Sequence, residues 1–268
     1  MSYTLADVSL TSRFFLGTAT YPSPKVLNDA IIASEAQVVT VGLKRQLSPH
    51  QNTLTKSTTD GVENTFFQML KESGARLLPN TAGCKTAREA ITLAHMAREI
   101  FDTHWIKLEV IGDDYTLQPD PTELLVATRE LIKEGFEVFP YCTDDLVTCQ
   151  RLLDAGCRIL MPWGAPIGSG QGLVNPFALR VLRARLPEAF LVVDAGIGSP
   201  KDAVMAMQLG FDAVLLNSAV AQSHNPVKMA TAFKLAIQSG RLAYEAGIMD
   251  QQDMAVPSTQ VTGRPFLL

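Results

Sequence analysis

Short apolar runs rich in β-branched residues recur along the chain, separated by longer amphipathic stretches. The runs are Arg13–Thr18, Val38–Leu43, Arg76–Asn80, Trp105–Val110, Glu137–Cys142, Arg158–Trp163, Phe190–Gly196 and Ala213–Ser218. Helix-like stretches such as Thr86–Phe101, Thr122–Glu134 and Asp145–Ala155 lie between them. Strands that alternate with helices predict a parallel sheet. Eight such units in 268 residues fit a closed barrel better than an open sheet, because single (β/α)8 barrels run to roughly 250 residues. No charge block, linker or low-complexity tract divides the chain, so one domain over residues 1–268 is expected. Residues 251–268 are polar and then apolar without a clear period and are expected to form an extended tail.

Helix starts agree with this pattern. Ser23-Pro24, Asp120-Pro121, Asn175-Pro176, Ser199-Pro200 and Asn225-Pro226 each place a capping side chain before a proline. The cap oxygen accepts from an early helix N–H, and proline at the first helical position needs no donor. Asp202 adds a carboxylate to the first turn after Ser199, where the helix dipole favours it.

Composition narrows the function. Hydrophobic residues make up 47% of the chain and charged residues 19%, enough to bury a large core. The net charge is -4 and no lysine-arginine cluster stands out, which argues against nucleic acid as a partner. No apolar run has the length of a leader or a membrane span, so a soluble cytoplasmic protein is expected. Cys84, Cys142, Cys149 and Cys157 form no C-x-x-C pair and read as small core residues; only Cys142, which ends a strand, is placed where a thiol could meet a ligand. His50, His95, His104 and His224 lack metal-ligand spacing, so no metal is expected.

The run Trp105-Ile106-Lys107-Leu108-Glu109-Val110 alternates strictly. Side chains alternate faces along a strand, so if Ile106, Leu108 and Val110 face the helices, Lys107 and Glu109 face the barrel interior. Two charges there form either an internal salt bridge or a lysine prepared to attack a carbonyl. Their place toward the C-terminal end of the strand is where barrel active sites lie. Asp194 ends Leu191-Val192-Val193 and also points inward, either capping the next turn or moving protons as an acid or base. Glycine-rich segments follow adjacent strands: Gly164–Gly172, Ala195–Ser199, and Asn217-Ser218-Ala219. Glycine lets backbone N–H groups approach an anion, and such barrels often bind phosphate after strands seven and eight. A dinucleotide fingerprint is rejected, because Lys201 stands where the third glycine after Gly196 and Gly198 belongs. Lys44-Arg45 closes the second strand and is a rival anion or amine site.

Four stretches, Leu78-Pro79-Asn80-Thr81-Ala82-Gly83-Cys84, Lys107–Asp113, Pro166-Ile167-Gly168-Ser169-Gly170, and Val193–Gly198, stand in an order that resembles bacterial thiazole synthase of thiamine biosynthesis. The resemblance runs from about Ser12 to Gly247. It implies a phosphate-binding (β/α)8 TIM barrel that condenses 1-deoxy-D-xylulose 5-phosphate, dehydroglycine and sulfur. The sulfur comes as the C-terminal thiocarboxylate of a ubiquitin-like sulfur-carrier protein, and a separate enzyme produces the dehydroglycine. Lys107 matches the imine-forming lysine, and Glu109 and Asp194 match the acid/base carboxylates. Gly168, Ala195, Gly196, Asn217 and Ser218 match positions that bind the sugar phosphate. The resemblance calls on no metal or organic cofactor and implies a homotetramer. The chain departs from the usual pattern at Gly17-Thr18-Ala19-Thr20, at Lys44-Arg45, at Leu146 and near Pro257-Ser258-Thr259. Two other readings share the inward lysine and the glycine loops: a lysine-dependent phosphosugar aldolase and a non-enzymatic phosphosugar-binding barrel.

Overall fold

The structure is a computed structural model that describes residues 2–43 and 62–258. Lys44, Arg45, His50 and residues 259–268 lie outside the described residues. The chain opens with β1 (Tyr3–Leu5) and β2 (Val8–Leu10), an antiparallel hairpin. Then follow β3 (Phe14–Gly17), α1 (Pro24–Ser34), β4 (Val38–Gly42), α2 (Val62–Glu72), β5 (Arg76–Asn80), α3 (Ala87–Phe101) and β6 (Trp105–Leu108). The second half continues as α4 (Pro121–Lys133), β7 (Glu137–Cys142), α5 (Leu146–Asp154), β8 (Ile159–Pro162), α6 (Pro176–Arg185) and β9 (Phe190–Asp194). It ends with α7 (Pro200–Gln208), β10 (Ala213–Leu216), the short α8 (Ser218–Ala221) and the long α9 (Pro226–Ala246). Strands β3 to β10 pair in parallel, and β10 returns to β3 to close the barrel. The expected (β/α)8 fold is therefore present, with strands β5 and β7 at the predicted bounds and the others shorter by one or two residues.

Two apolar clusters hold the barrel. The larger lies between strands and helices and takes the outward side chains of each strand, such as Ile106, Leu108, Leu191 and Val193. The smaller fills the barrel itself with Phe15, Val38, Leu78, Trp105, Phe139 and Val192, among others. Leu5 and Leu10 of the hairpin belong to this inner cluster. Tyr3 stacks on Phe190, the first residue of β9, at 5.4 Å between ring centroids, and Asp7 pairs with Arg158 just before β8 at 3.0 Å. The hairpin thus seals the N-terminal mouth of the barrel and leaves the C-terminal mouth as the open end. The sequence pattern did not reveal this hairpin. Its turn residues, Ala6 (φ 45°) and Asp7 (φ 68°), both sit in the left-handed region, which is usually marked by Asn-Gly.

The predicted helix starts are present. Ser23, Asp120, Asn175 and Asn225 accept from Val26, Thr122 and Glu123, Ala178 and Lys228 respectively. At Ser199 the roles differ from expectation: the Asp202 carboxylate accepts from the N–H groups of Ser199 (2.8 Å) and Gly198 (3.1 Å). Cys142 faces outward into the strand–helix layer, 3.8 Å from Cys149 Sγ, where that contact and burial push its thiol pKa up. It packs as a core residue, on the side of the strand away from any ligand in the barrel.

Truncating the plug should loosen the barrel. Leu5→Ala is expected to lower stability by about 2–5 kcal/mol, as burial of a leucine in a packed core implies. Urea unfolding checks this; an unchanged midpoint would mean that the hairpin seals nothing.

Candidate active site

Lys107 lies on β6, and Glu109 follows directly after its last residue. Trp105 packs inside the barrel whereas Ile106, Leu108 and Val110 join the outer layer, so alternation turns Lys107 and Glu109 inward as expected. Pairing of β5 with β6 sets Asn80 beside Lys107. Beyond that point a side chain replaces the strand ladder. Thr81 Oγ1 donates to the Glu109 carbonyl and accepts from the Glu109 N–H, both at 2.8 Å. This clamp holds Glu109 in line although the strand has ended at Leu108. Across the barrel, β9 delivers Asp194 at its C-terminal end.

The three groups meet. Lys107 Nζ lies 2.7 Å from Asp194 Oδ2 and 3.0 Å from Glu109 Oε1. Lys107 and Glu109 are 5% exposed and Asp194 2%, so the cluster is nearly removed from water. Two carboxylates against one ammonium leave an excess negative charge, which a low-dielectric interior penalises. Burial therefore raises the Asp194 pKa from 3.8 to about 6; Lys107 pulls it down and Glu109 pushes it further up. For Lys107, burial alone favours the neutral amine, but Asp194 and Glu109 outweigh it and the net direction is upward. The resting cluster holds its proton on the lysine, with Asp194 poised to take one near neutral pH.

These groups form the floor of a cavity of about 810 Å3 at the open mouth of the barrel. Its walls include Gly168, Ala195, Gly196, Asn217 and Ser218, so the three ionisable residues and the five phosphate-binding positions expected from the sequence line one space. The loops after β8 and β9 touch backbone to backbone. A Cβ at Gly198 would run into the Gly170 carbonyl oxygen, and one at Gly196 (φ 81°) into the Ala165 nitrogen. Ala195 adopts φ 70°, a left-handed conformation that costs a non-glycine residue energy and is held where Asp194 is delivered. Asn217 Nδ2 donates to the Ala19 carbonyl at 3.0 Å, so its amide N–H ties the end of β10 to the loop after β3. Asp202 already occupies the Gly198 and Ser199 N–H groups. Those two N–H groups are therefore not open to an anion. Thr18, Thr40 and Asn80 also line the cavity. Sequence reasoning missed them; Thr18, just after β3, and Asn80, the last residue of β5, stand where barrel sites lie, whereas Thr40 is in the middle of β4.

The family pattern described as "Thiazole biosynthesis protein ThiG" matches residues 4–260. The chain belongs to the ThiG family. It is similar to thiazole synthase from Coxiella burnetii (strain RSA 331 / Henzerling II), with 53% identity over 266 residues, 99% of this chain and 98% of that one. Thiazole synthase from Brucella abortus (strain S19) is 57% identical over 256 residues, 96% of each chain. Among solved structures, the Amycolatopsis orientalis BexX/CysO complex matches with a TM-score of 0.81 and 29% identity, covering 94% of this chain and 98% of that one. A thiamine phosphate pyrophosphorylase from Pyrococcus furiosus, at 14% identity and a TM-score of 0.56, shares the fold alone. The chain is thus a thiazole synthase, an enzyme of thiamine biosynthesis.

A carboxyl-carbon NMR titration of Asp194, its signal assigned by its loss in Asp194→Asn, is expected to show a midpoint near 6. A midpoint near 4 would mean that burial is relieved by water. The linkage has a defined sign. The folded state holds this proton more tightly than the unfolded chain does. The group's contribution to stability is therefore full below pH 3.8 and is lost as pH rises through about 6.

Proposed function

We propose that the enzyme joins 1-deoxy-D-xylulose 5-phosphate, dehydroglycine and sulfur into thiazole phosphate through an imine on Lys107. The observation that carries this reading is the Lys107 ammonium held between two carboxylates, at 2.7 and 3.0 Å, on the floor of a cavity large enough for a phosphosugar. An amine attacks a carbonyl only when it has lost its proton. Asp194, at 2.7 Å from Nζ, is placed to take that proton directly. It then returns the proton to the hydroxyl that leaves as water when the carbinolamine becomes the imine.

The imine makes the neighbouring C–H acidic, and either Glu109 or Asp194 removes that proton. Reprotonation at the imine carbon moves the carbonyl one position along the chain. Sulfur enters there from the thiocarboxylate of a ubiquitin-like carrier protein, and the displaced carbonyl oxygen leaves as the carrier's carboxylate. The hydroxyl on the carbon beside the sulfur-bearing one leaves as water. Sulfur then bonds to the imine carbon of dehydroglycine, which a separate enzyme supplies. The dehydroglycine nitrogen displaces the Lys107 amine to close the ring, which keeps the dehydroglycine carboxylate. That a relative was captured as a BexX/CysO complex supports a partner docking on this fold. Phosphate is assigned to the Gly168, Ala195–Gly196 and Asn217–Ser218 walls, where its binding energy orients the reacting carbons without taking part in their chemistry. The family resemblance supports assembly as a homotetramer. The buried cysteines Cys142, Cys149 and Cys157, none in a disulfide, suit a reducing compartment and support the cytoplasm as the location.

Borohydride reduction in the presence of 1-deoxy-D-xylulose 5-phosphate, followed by peptide mass spectrometry, tests the reading. A sugar-sized adduct is expected on the peptide that contains Lys107, and Lys107→Ala is expected to lose both the adduct and thiazole formation, by roughly 10^3-fold or more for a covalent step. A folded wild-type protein that gives no adduct would overturn the imine, and turnover by Lys107→Ala would do the same.

A further inference from the structure

Tyr141 lies on β7 and is completely buried inside the barrel. Register places Lys107 opposite Phe139, and Tyr141 stands two residues further along the same face. Its ring centroid lies 5.6 Å from Lys107 Nζ. The phenol oxygen is buried and has no hydrogen-bond partner among the described residues. The hydroxyl therefore does not hold the lysine; whatever Tyr141 does for Lys107, its ring face does. We propose that Tyr141 is a positioning residue whose ring face holds the cationic nitrogen of Lys107 in place while the surrounding carboxylates exchange protons.

Asp194 and Glu109 attract the Lys107 cation, but in the proposed mechanism Asp194 accepts the amine proton and one of the two carboxylates accepts the C–H proton, and a protonated carboxyl loses most of its pull. The negative face of an aromatic ring attracts a cation at this range, more strongly when water is excluded, and it never titrates in the process. The nitrogen is cationic both as the ammonium and as the protonated imine. The ring is thus the neighbour whose charge distribution no proton transfer alters, and it attracts the nitrogen whenever that nitrogen is cationic. The titratable groups that bear on Tyr141 are Asp194, Glu109 and the Cys142 thiol, and those that bear on Lys107 are Asp194 and Glu109. The inference deepens the imine reading and rests on it for the catalytic consequence, while the hold on the resting ammonium stands apart from it.

The test replaces Tyr141 with phenylalanine and with its mono-, di- and trifluorinated analogues, which drain the ring face of negative charge while nearly keeping its shape. Two readouts are taken. The first is the pH dependence of trace acetic anhydride labelling at Lys107 in the substrate-free enzyme. The second is borohydride trapping with 1-deoxy-D-xylulose 5-phosphate. Tyr141→Phe is expected to label like the wild type. Each added fluorine is expected to raise the labelling rate at fixed pH and move its midpoint lower, by about tenfold across the series. A flat series would overturn the Tyr141 assignment even where the sugar adduct forms. Loss of the adduct in the unaltered protein, with the series still graded, would overturn the imine reading and leave the ring's hold on the ammonium standing.

Discussion

Everything at the open mouth of the barrel depends on one ion cluster, Lys107 between Glu109 and Asp194, with side-chain exposures of 6% or less. A buried ion pair is a weak source of stability, because removing charges from water offsets most of their attraction. The cluster instead makes sense as stored chemistry. An amine and two carboxylates within 3.0 Å form a buried set whose titration each member shifts, the lysine upward and Asp194 to about 6.

Holding these charges in place requires rigidity from several directions. β6 and β9 approach from different parts of the ring, so barrel closure fixes the distance between Lys107 and Asp194. Thr81 extends β6 by side-chain bonds where its own ladder stops. The strained Ala195 and the backbone contact between Gly170 and Gly198 lock the loops above. Below, the inner cluster and the Leu5 and Leu10 plug fill the barrel with apolar atoms. The dry floor is what makes the ion cluster strong, since its attraction grows as water is excluded. The plug at the closed end and the chemistry at the open end are thus parts of one arrangement.

The strand alternation made much of this legible. With a side-chain period of two, a lysine and a glutamate two residues apart in an otherwise apolar strand have to share a face, and the apolar partners fix which face that is. Asp194 was readable for the same reason, and the proline-led helix starts marked where strands give way to helices. Other features left no such mark. Ala6-Asp7 makes a tight turn without the usual asparagine or glycine, so the hairpin was invisible. Tyr141 reads as an ordinary core aromatic until its distance to Lys107 is known. The end of β5 marked Asn80 for the open mouth, but its place beside Lys107 comes from the β5–β6 register, a long-range fact. The end of β6 was overrun because Thr81, not a strand residue, continues its hydrogen bonding.

The division of labour among the loops follows from where carboxylates were placed. Asp202 accepts the Gly198 and Ser199 N–H groups at the start of α7. A helix N-terminus is the natural seat for an anion, yet here the protein has filled that seat with its own carboxylate. Under the proposed function, a substrate phosphate would be left to the remaining glycine-lined walls. An anion held at the rim, away from the floor, cannot compete with Glu109 and Asp194 for the Lys107 cation.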